Sequence, residues 1–236
     1  MPFNFIEGEV LLIDKPMGWT SFDVVNKIRG AIRNYLREHA KEGSIPSGKI
    51  KVGHAGTLDP LATGLLIVCT GKLTKKIEEF MAKEKEYTGT FTFGASTATY
   101  DAETLPENSF PTDTLSKERI LEASLNFVGN IQQIPPMYSA IKQDGKRMYE
   151  LARQGISVEI KPRDVFIKEF ELTDFEIPKV NFRIVCSKGT YIRSIANDLG
   201  VSLNNGAFLS TLRRTRIGEH KIENALGVLE FVERLK

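Results

Sequence analysis

The spacing of apolar positions predicts that short strands and helices follow one another irregularly along the chain. Between Tyr87 and Phe93, apolar and polar residues alternate, which is typical of a strand with one face in a core. Short apolar runs bounded by turn residues predict further strands. These strands cover residues 9–13, 64–69, 165–175 and 180–186.

Apolar positions at helical spacing predict helices between these strands. The first helix should begin at Thr20 or Ser21, either of which can cap it. Its apolar positions are Val25, Ile28, Ile32 and Leu36. Further helices are predicted at residues 73–81, 116–127, 147–154, 191–199 and 224–235. Gly155 and Gly200 are expected to end the third and fourth of these. The expected buried positions around 116–127 are Leu115, Ile120, Leu121, Leu125 and Val128.

The segments without such a pattern are predicted loops, and none of them marks a domain boundary. Residues 37–52 mix charge with Gly, Pro and Ser, which is typical of an exposed connection. Pro135 and Pro136 make residues 129–145 mostly loop. The chain has no internal repeat, so a single mixed α/β or α+β body is predicted.

The composition is that of an ordinary globular protein and narrows the function little. Of 236 residues, 41% are hydrophobic and 26% charged, which excludes disordered and collagen-like chains. The 32 basic and 30 acidic residues leave a net charge of +2. This small net charge does not indicate which kind of partner the protein binds. Cys69 and Cys186 each lie in an apolar run and should be reduced thiols. Because no apolar run is long enough to cross a membrane, a soluble cytoplasmic protein is expected.

One glycine-rich segment carries an unusual carboxylate. Residues 53–64, GHAGTLDPLATG, place Asp59 next to Leu58 and directly before Pro60. The proline biases the backbone of Asp59 away from helical conformation. Apolar surroundings would raise the pKa of this carboxyl group unless a cation or several donors keep it ionised. Asp59 is therefore either a catalytic carboxylate or a simple cap of the following turn.

Several familiar chemistries lack their sequence signature. The residues around Gly71 and Lys72 do not have the spacing of a phosphate-binding P-loop. The three histidines have no helical pairing and the two cysteines lie far apart, so no metal site is predicted. Neither the serine elbow of hydrolases nor the dinucleotide-binding glycine motif is present. Carboxylate chemistry without a cofactor is what remains.

A second candidate cluster occupies residues 187–194, SKGTYIRS, between a predicted strand and a predicted helix. Backbone N–H groups at the helix start, together with Lys188 and Arg193, would form a rim that suits an anion. Arg193 itself could pair with a carboxylate, bind a phosphate or lie solvated on the surface. The sequence leaves these alternatives open.

Basic and aromatic residues are interleaved in residues 137–149 (MYSAIKQDGKRMY), and residues 212–216 (LRRTR) form a second basic segment. Basic side chains of this kind can follow an RNA backbone while tyrosines stack on unpaired bases. A solvated charge run is the plainer alternative. The candidate RNA-backbone contacts are Lys15, Lys142, Lys146, Arg147, Arg213 and Arg214, with Arg216 in the second basic segment.

Five segments of the chain, taken together, carry a resemblance to a known family. They read GHAGTLDPLATGLL, YTGTFTFGASTATYDAE, PPMYSAIKQDGKRMYELARQG, KGTYIRSIANDLG and GAFLSTLRRTRIG. In this order and spacing they closely resemble the TruB family of bacterial tRNA pseudouridine synthases, from about residue 11 to residue 218. The resemblance implies a pseudouridine synthase fold of the α+β class. In that fold a mixed β-sheet is flanked by helices and has a central RNA-binding cleft.

The resemblance also implies an activity. It is the isomerisation of a T-loop uridine, at tRNA position 55, to pseudouridine on a flipped-out nucleotide, with no cofactor and no metal. Asp59 resembles the catalytic aspartate of the family. His54 resembles the residue beside the flipped nucleotide, and Tyr87 resembles the tyrosine stacked on the target base.

The remaining implied site residues come from the later segments. Tyr191 and Arg193 match a Tyr-x-Arg motif whose arginine is the partner of the catalytic carboxylate. Leu212 matches a leucine that lines the base pocket, and residues 133–157 correspond to an RNA-clamping loop. Whether the aspartate attacks the sugar covalently or assists charge and proton movement is left open.

The expected partner is the T arm of tRNA, recognised by a monomer that needs no obligate protein partner. A single catalytic domain over residues 1–236 is expected, without the C-terminal PUA domain that many family members carry. The main alternative is a non-catalytic factor that binds or folds RNA. A third reading is an N-glycoside hydrolase, since the first bond broken would be the same.

Overall fold

The computed structural model of the chain describes residues 3–39, 50–139, 142–143, 146–156 and 158–236. Within it the chain forms two compact units. Unit 1 combines residues 1–86 with residues 213–236, and unit 2 spans residues 87–212. The expectation of one catalytic domain over the whole chain stays a prediction.

The elements have the following bounds. The strands are β1 (Val10–Lys15), β2 (Val52–His54), β3 (Thr63–Thr70), β4 (Lys85–Phe93), β5 (Ala95–Thr97), β6 (Pro106–Ser109), β7 (Gly129–Gln133), β8 (Lys142–Gln143), β9 (Lys146–Arg147), β10 (Arg163–Glu176), β11 (Lys179–Cys186), β12 (Ala207–Ile217), β13 (His220–Lys221) and β14 (Leu226–Gly227). The α-helices are α1 (Ser21–Glu38), α2 (Ile77–Ala82), α3 (Lys117–Leu125), α4 (Met148–Arg153), α5 (Ile192–Ser202) and α6 (Val228–Glu233). Two 3₁₀ segments cover Gly71–Lys76 and Ile222–Asn224.

Unit 1 is a mixed sheet whose central strand is covered on both faces. Its strand order is β14-β1-β3-β12; β1 is antiparallel to β3, and β3 is parallel to β12. Leu66 and Val68 of β3 join a buried cluster with residues of α1 and α6. Leu65 and Ile67 face a second cluster on the other side. Burial on both faces explains why β3 is a continuous apolar run.

In unit 2 the strand order is β12-β4-β11-β10-β7. Its core contains Phe91 of β4 stacked on Phe182 of β11, with ring centroids 4.1 Å apart, and Phe170 of β10 edge-on to Phe91. Helix α3 packs on β10 and on α5. Two short hairpins, β5–β6 and β8–β9, lie apart from this sheet. Strands with helices packed against them agree with the predicted α+β class.

The predicted strands are all confirmed, and the first helix begins as expected. Thr20 is the N-cap of α1: its side chain accepts a hydrogen bond from the backbone of Asp23, and Asp23 bonds back to the cap. Gly155 follows α4 with a positive φ of 72°, as a helix end requires. Gly200 does not end α5, which continues to Ser202; a Cβ at Gly200 would lie 2.4 Å from the backbone N of Ala207. Gly200 therefore allows α5 to pack closely against the backbone at Ala207 and does not end the helix.

Other local predictions are wrong because tertiary pairing overrides the local pattern. Residues 129–133 form an edge strand paired with β10 and not a loop. The final helix is confined to Val228–Glu233, since Leu226 and Gly227 pair with β1. Leu121, Leu125 and Val128 are exposed by 38%, 70% and 45%, although Leu115 and Ile120 are buried as expected. The predicted helix at 73–81 is 3₁₀ up to Lys76.

Both cysteines are buried free thiols, as expected. Most of the predicted connection at 37–52 lies outside the described residues. None of the helices in the described part of the chain is long and apolar enough to cross a membrane.

We predict that Gly64→Ala destabilises the protein by about 3 kcal/mol, because it combines backbone strain with overpacking. Gly64 has a φ of +104°, and an added Cβ would lie 2.3 Å from the backbone O of Arg214 on the paired strand β12. Gly18→Ala is the matched control: its φ is +81°, and nothing lies within 4 Å of the added Cβ. The control should lose only about 1 kcal/mol. Urea unfolding measures both, and equal losses would contradict the proposed clash.

Candidate active site

The loop that carries Asp59 joins β2 to β3 in unit 1 and is fastened at several points. The backbone N of Ala55 donates to Ile67 O at 2.9 Å. Leu58 N donates to Ser21 Oγ at 2.9 Å, and that hydroxyl donates to Leu58 O at 3.2 Å. The first residue of α1 therefore holds the loop directly before Asp59, whose side chain is half-buried.

A buried ammonium group lies beside this loop. Lys15 is fully buried, and its Nζ donates to the carbonyl oxygens of Trp19 at 2.5 Å, Pro16 at 3.0 Å and Pro60 at 3.3 Å. Burial lowers the pKa of Lys15 to about 8; the Asp59 carboxylate opposes this shift and the Arg214 guanidinium adds to it. The prediction that Lys15 contacts an RNA backbone is wrong, because its amine is enclosed by carbonyl groups of its own unit.

Arg214 is a second internal cation of the loop. Its side chain is only 1% exposed; Nε donates to Leu65 O at 2.7 Å, and Nη2 donates to Gly56 O at 3.1 Å. The predicted RNA-backbone contact is therefore wrong for Arg214 as well. The buried guanidinium holds the glycine-rich segment in place through these hydrogen bonds. A solvent-exposed arginine could not do so.

His54, at the end of β2, is half-buried next to these cations. Burial, and then the charge of Arg214, lower its pKa below the ordinary value of 6.5. The imidazole is therefore uncharged at neutral pH. Its Nδ1 is buried and has no hydrogen-bond partner among the described residues.

The other residues that were predicted to contact an RNA backbone differ in their surroundings. Arg213 forms two hydrogen bonds to the carboxylate of Asp14, at 3.1 and 2.7 Å, and stays 41% exposed. Arg216 pairs with Glu84 at 2.8 Å. The side chains of Lys142, Lys146 and Arg147 lie outside the described part of the structure, as does some of the predicted clamping loop. RNA contact by Arg213 and by these three residues stays a prediction.

In unit 2, Arg193 occupies the first turn of α5 and is only 4% exposed. Its Nη1 donates to Thr99 O at 3.1 Å and its Nη2 to Tyr138 O at 3.0 Å. Its Nε lies 3.6 Å from Oδ2 of Asp101, which is also buried. Within unit 2 the guanidinium thus pairs with a carboxylate. The predicted anion rim is wrong, because Lys188 is exposed and Arg193 points inward.

The start of α5 is also held by a side-chain amide. Gln133, at the end of β7, accepts from the backbone N of Tyr191 at 2.8 Å and donates to its carbonyl O at 3.0 Å. The guanidinium of Arg163 lies over the Tyr191 ring, 5.8 Å from its centroid. Sequence reasoning missed Asp101 and Gln133. The only signal for Asp101 is its place in the segment YTGTFTFGASTATYDAE.

The predicted site residues are therefore divided between the units. Asp59 and His54 belong to unit 1, whereas Tyr87, Tyr191, Arg193 and Leu212 belong to unit 2. Tyr87 is buried on β4 and Leu212 is half-buried on β12. The expected pair of Asp59 and Arg193 stays a prediction. In the described ranges no group of three or more His, Cys, Asp or Glu residues could hold a metal ion.

The family model for "TruB family pseudouridylate synthase (N terminal domain)" matches residues 45–192. The chain belongs to the TruB family. A protein of Flavobacterium johnsoniae named tRNA pseudouridine synthase B is 51% identical over 235 residues, which cover 100% of this chain and 99% of that protein. A Phocaeicola vulgatus protein of the same name is 51% identical over 232 residues, covering 98% of this chain and 95% of its own.

A solved structure confirms the predicted TruB-type fold. A chain in the crystal structure of a Cbf5-Nop10-Gar1 complex matches with a TM-score of 0.69 and 28% identity. The match covers 97% of this chain and 54% of that chain, so this chain spans about half the length of that protein. Both the predicted family and the predicted fold class are therefore confirmed.

We predict that Lys15→Met removes a pH dependence of stability. The pKa of Lys15 is about 8 in the folded protein and 10.5 without burial, so between these pH values the unfolded chain binds more protons and stability rises with pH. Across this range wild type should gain up to roughly 3 kcal/mol of unfolding free energy relative to the variant. Urea unfolding at several pH values measures the difference.

Lys27→Met, which removes an exposed ammonium from α1, is the matched control and should follow wild type. A wild-type curve parallel to that of Lys15→Met at all pH values would contradict the assignment.

Proposed function

We propose that this chain converts the T-loop uridine of tRNA, position 55, into pseudouridine, with Asp59 as the catalytic carboxylate. One observation carries the proposal: in a chain of the TruB family, Asp59 lies half-buried on a loop that α1, Lys15 and Arg214 hold rigidly. The two relatives at 51% identity are named tRNA pseudouridine synthase B, which supports tRNA as the substrate.

The reaction breaks the C1′–N1 bond of the uridine and forms a C1′–C5 bond, and the proton on C5 is exchanged for one on N1. A carboxylate can assist in two ways: it can attack C1′ covalently, or it can stabilise positive charge at the sugar and move the proton. Lys15 supports both, because its ammonium group attracts the negative charge of the Asp59 carboxylate. No cofactor is needed for either route.

The proposal assigns the other family residues to the base and the ribose. The target uridine must leave its stack, which costs a few kcal/mol. Tyr87 would stack on the uracil and Leu212 would line its pocket, so that both offset the lost stacking. The neutral His54 would lie beside the flipped nucleotide, and Tyr191 would close the pocket.

In this proposal Arg193 is the ion-pair partner of the catalytic carboxylate, Asp59. A guanidinium can present several N–H groups in a fixed plane, so one arginine can serve more than one acceptor. Its contacts with Thr99, Asp101 and Tyr138 fix that plane within unit 2. We further propose that the enzyme acts on the T arm as a cytoplasmic monomer without an obligate protein partner.

Asp59→Asn should lower the single-turnover rate of pseudouridine formation on the order of 10⁴-fold, as loss of an essential catalytic group does. The amide keeps the shape of the side chain, so tRNA binding should change little. Nucleotide-resolution mapping of pseudouridine in unmodified tRNA measures the product and its position. Asp113→Asn, an exposed aspartate of unit 2, is the control and should react like wild type.

The same assay separates the alternatives. A factor that only binds or folds RNA would bind tRNA and form no pseudouridine at any position. An N-glycoside hydrolase would release free uracil. Unreduced turnover by Asp59→Asn would remove Asp59 from catalysis.

An isolated T-arm stem-loop should be modified with a kcat/KM within about tenfold of that for whole tRNA, a difference of about 1.4 kcal/mol. The reason is that every contact proposed above is with the target nucleotide or its arm. Steady-state kinetics on both RNAs measures the ratio, with a stem-loop that carries cytidine at the target as the blank. A stem-loop that reacts hundreds of times more slowly would show that contacts outside the T arm dominate.

A further inference from the structure

We propose that Tyr100 is a positioning residue: its left-handed backbone turns the Thr99 carbonyl and the Asp101 carboxylate toward the same guanidinium, that of Arg193. The inference rests on the proposed function, because it gives Tyr100 a role only through Arg193. Tyr100 itself makes no proposed contact with RNA.

The backbone conformation of Tyr100 is unusual for its residue type. Its φ is +62°, and among the described residues other than glycine only Asn204 shares a positive φ. Asparagine tolerates this region, whereas a tyrosine there is uncommon and strained. Strained residues persist only where the surrounding structure holds them, and they concentrate at functional sites.

The two residues that flank Tyr100 both contact Arg193. Thr99 O accepts from Nη1 at 3.1 Å, and Oδ2 of Asp101 lies 3.6 Å from Nε. The φ of Tyr100 sets how the Thr99–Tyr100 peptide group is rotated relative to the residues that follow. The positive φ therefore sets the direction of the Thr99 carbonyl relative to Asp101, and one guanidinium contacts both residues.

Hydrogen bonds hold the turn on both sides. Tyr100 N donates to Thr97 O at 3.2 Å, and Tyr100 O accepts from Leu209 N of β12 at 3.0 Å. The Asp101 carboxylate accepts through Oδ1 from the Thr99 hydroxyl at 2.6 Å and from the backbone N of Glu103 at 3.0 Å. The second oxygen of Asp101 is thereby directed to Arg193.

The Tyr100 side chain interacts electrostatically with the helix that carries Arg193, through Asp198. It is half-buried, and burial together with the charge of Asp198 raises the pKa of its phenol. Asp198 lies on α5, five residues after Arg193. The proposed role of Tyr100 therefore rests on its backbone and on the contacts that its two neighbours make with Arg193.

The test compares residues by their tolerance of positive φ. Tyr100→Asn keeps a side chain that accepts the left-handed conformation, whereas Tyr100→Val adds a branched Cβ that does not. The valine variant should lose about 100-fold in kcat, the scale of a roughly 1 Å misplacement, with KM for tRNA changed less than threefold. The asparagine variant should retain kcat within about tenfold of wild type. Should Tyr100→Val not fold, Tyr100→Ala replaces it, with a loss between these two.

A double-mutant comparison shows whether the effect passes through Arg193. Arg193→Lys removes the planar fork, so adding Tyr100→Val to it should cost far less than the 100-fold seen in wild type. Thermal unfolding and tRNA binding are measured on every variant, because a merely structural defect would lower stability without this non-additivity.

Each outcome bears on one claim. Normal kcat in Tyr100→Val, equal losses in the valine and asparagine variants, or fully additive losses with Arg193→Lys would overturn the role of Tyr100. If Arg193→Lys itself retains wild-type turnover, the role of Arg193 in the proposed function fails instead.

Discussion

Burial of cations against backbone carbonyl groups is the interaction on which the candidate active site depends. Lys15 and Arg214 in unit 1 and Arg193 in unit 2 are each almost fully enclosed. A buried charge without partners would cost several kcal/mol, so each must be met by acceptors. The acceptors are largely carbonyl oxygens of loops, and satisfying the cation therefore fixes the loop.

This constraint gives the glycine-rich segment a defined shape. Arg214 reaches Gly56 and Lys15 reaches Pro60, so cations hold the loop on either side of Asp59. Gly64 lets β3 approach the backbone of Arg214 closely enough for the guanidinium to reach inward. Burial, and then the charge of Arg214, lower the pKa of His54, which keeps its imidazole neutral. A rigid carboxylate beside fixed positive charge and a neutral imidazole suits chemistry at a sugar carbon.

In unit 2, acceptors hold the guanidinium of Arg193 in place in the same way. Thr99, Asp101 and Tyr138 supply acceptors from two loops, while Gln133 clamps the backbone at the start of α5. None of these partners lies near Arg193 in the sequence. The position of the Arg193 side chain thus depends on at least three segments of the chain.

The sequence by itself determined the strands, the first helix, the Asp59 loop and the family, because period-2 alternation, caps and a specific motif are local signals. It misjudged residues 129–133 and the last helix, where pairing with β10 and β1 outweighs local preference. It also took Lys15 and Arg214 for surface cations, since charge alone does not reveal burial. Only the tertiary structure decided which carbonyls and carboxylates meet each cation, because those partners are up to 199 residues apart in the chain.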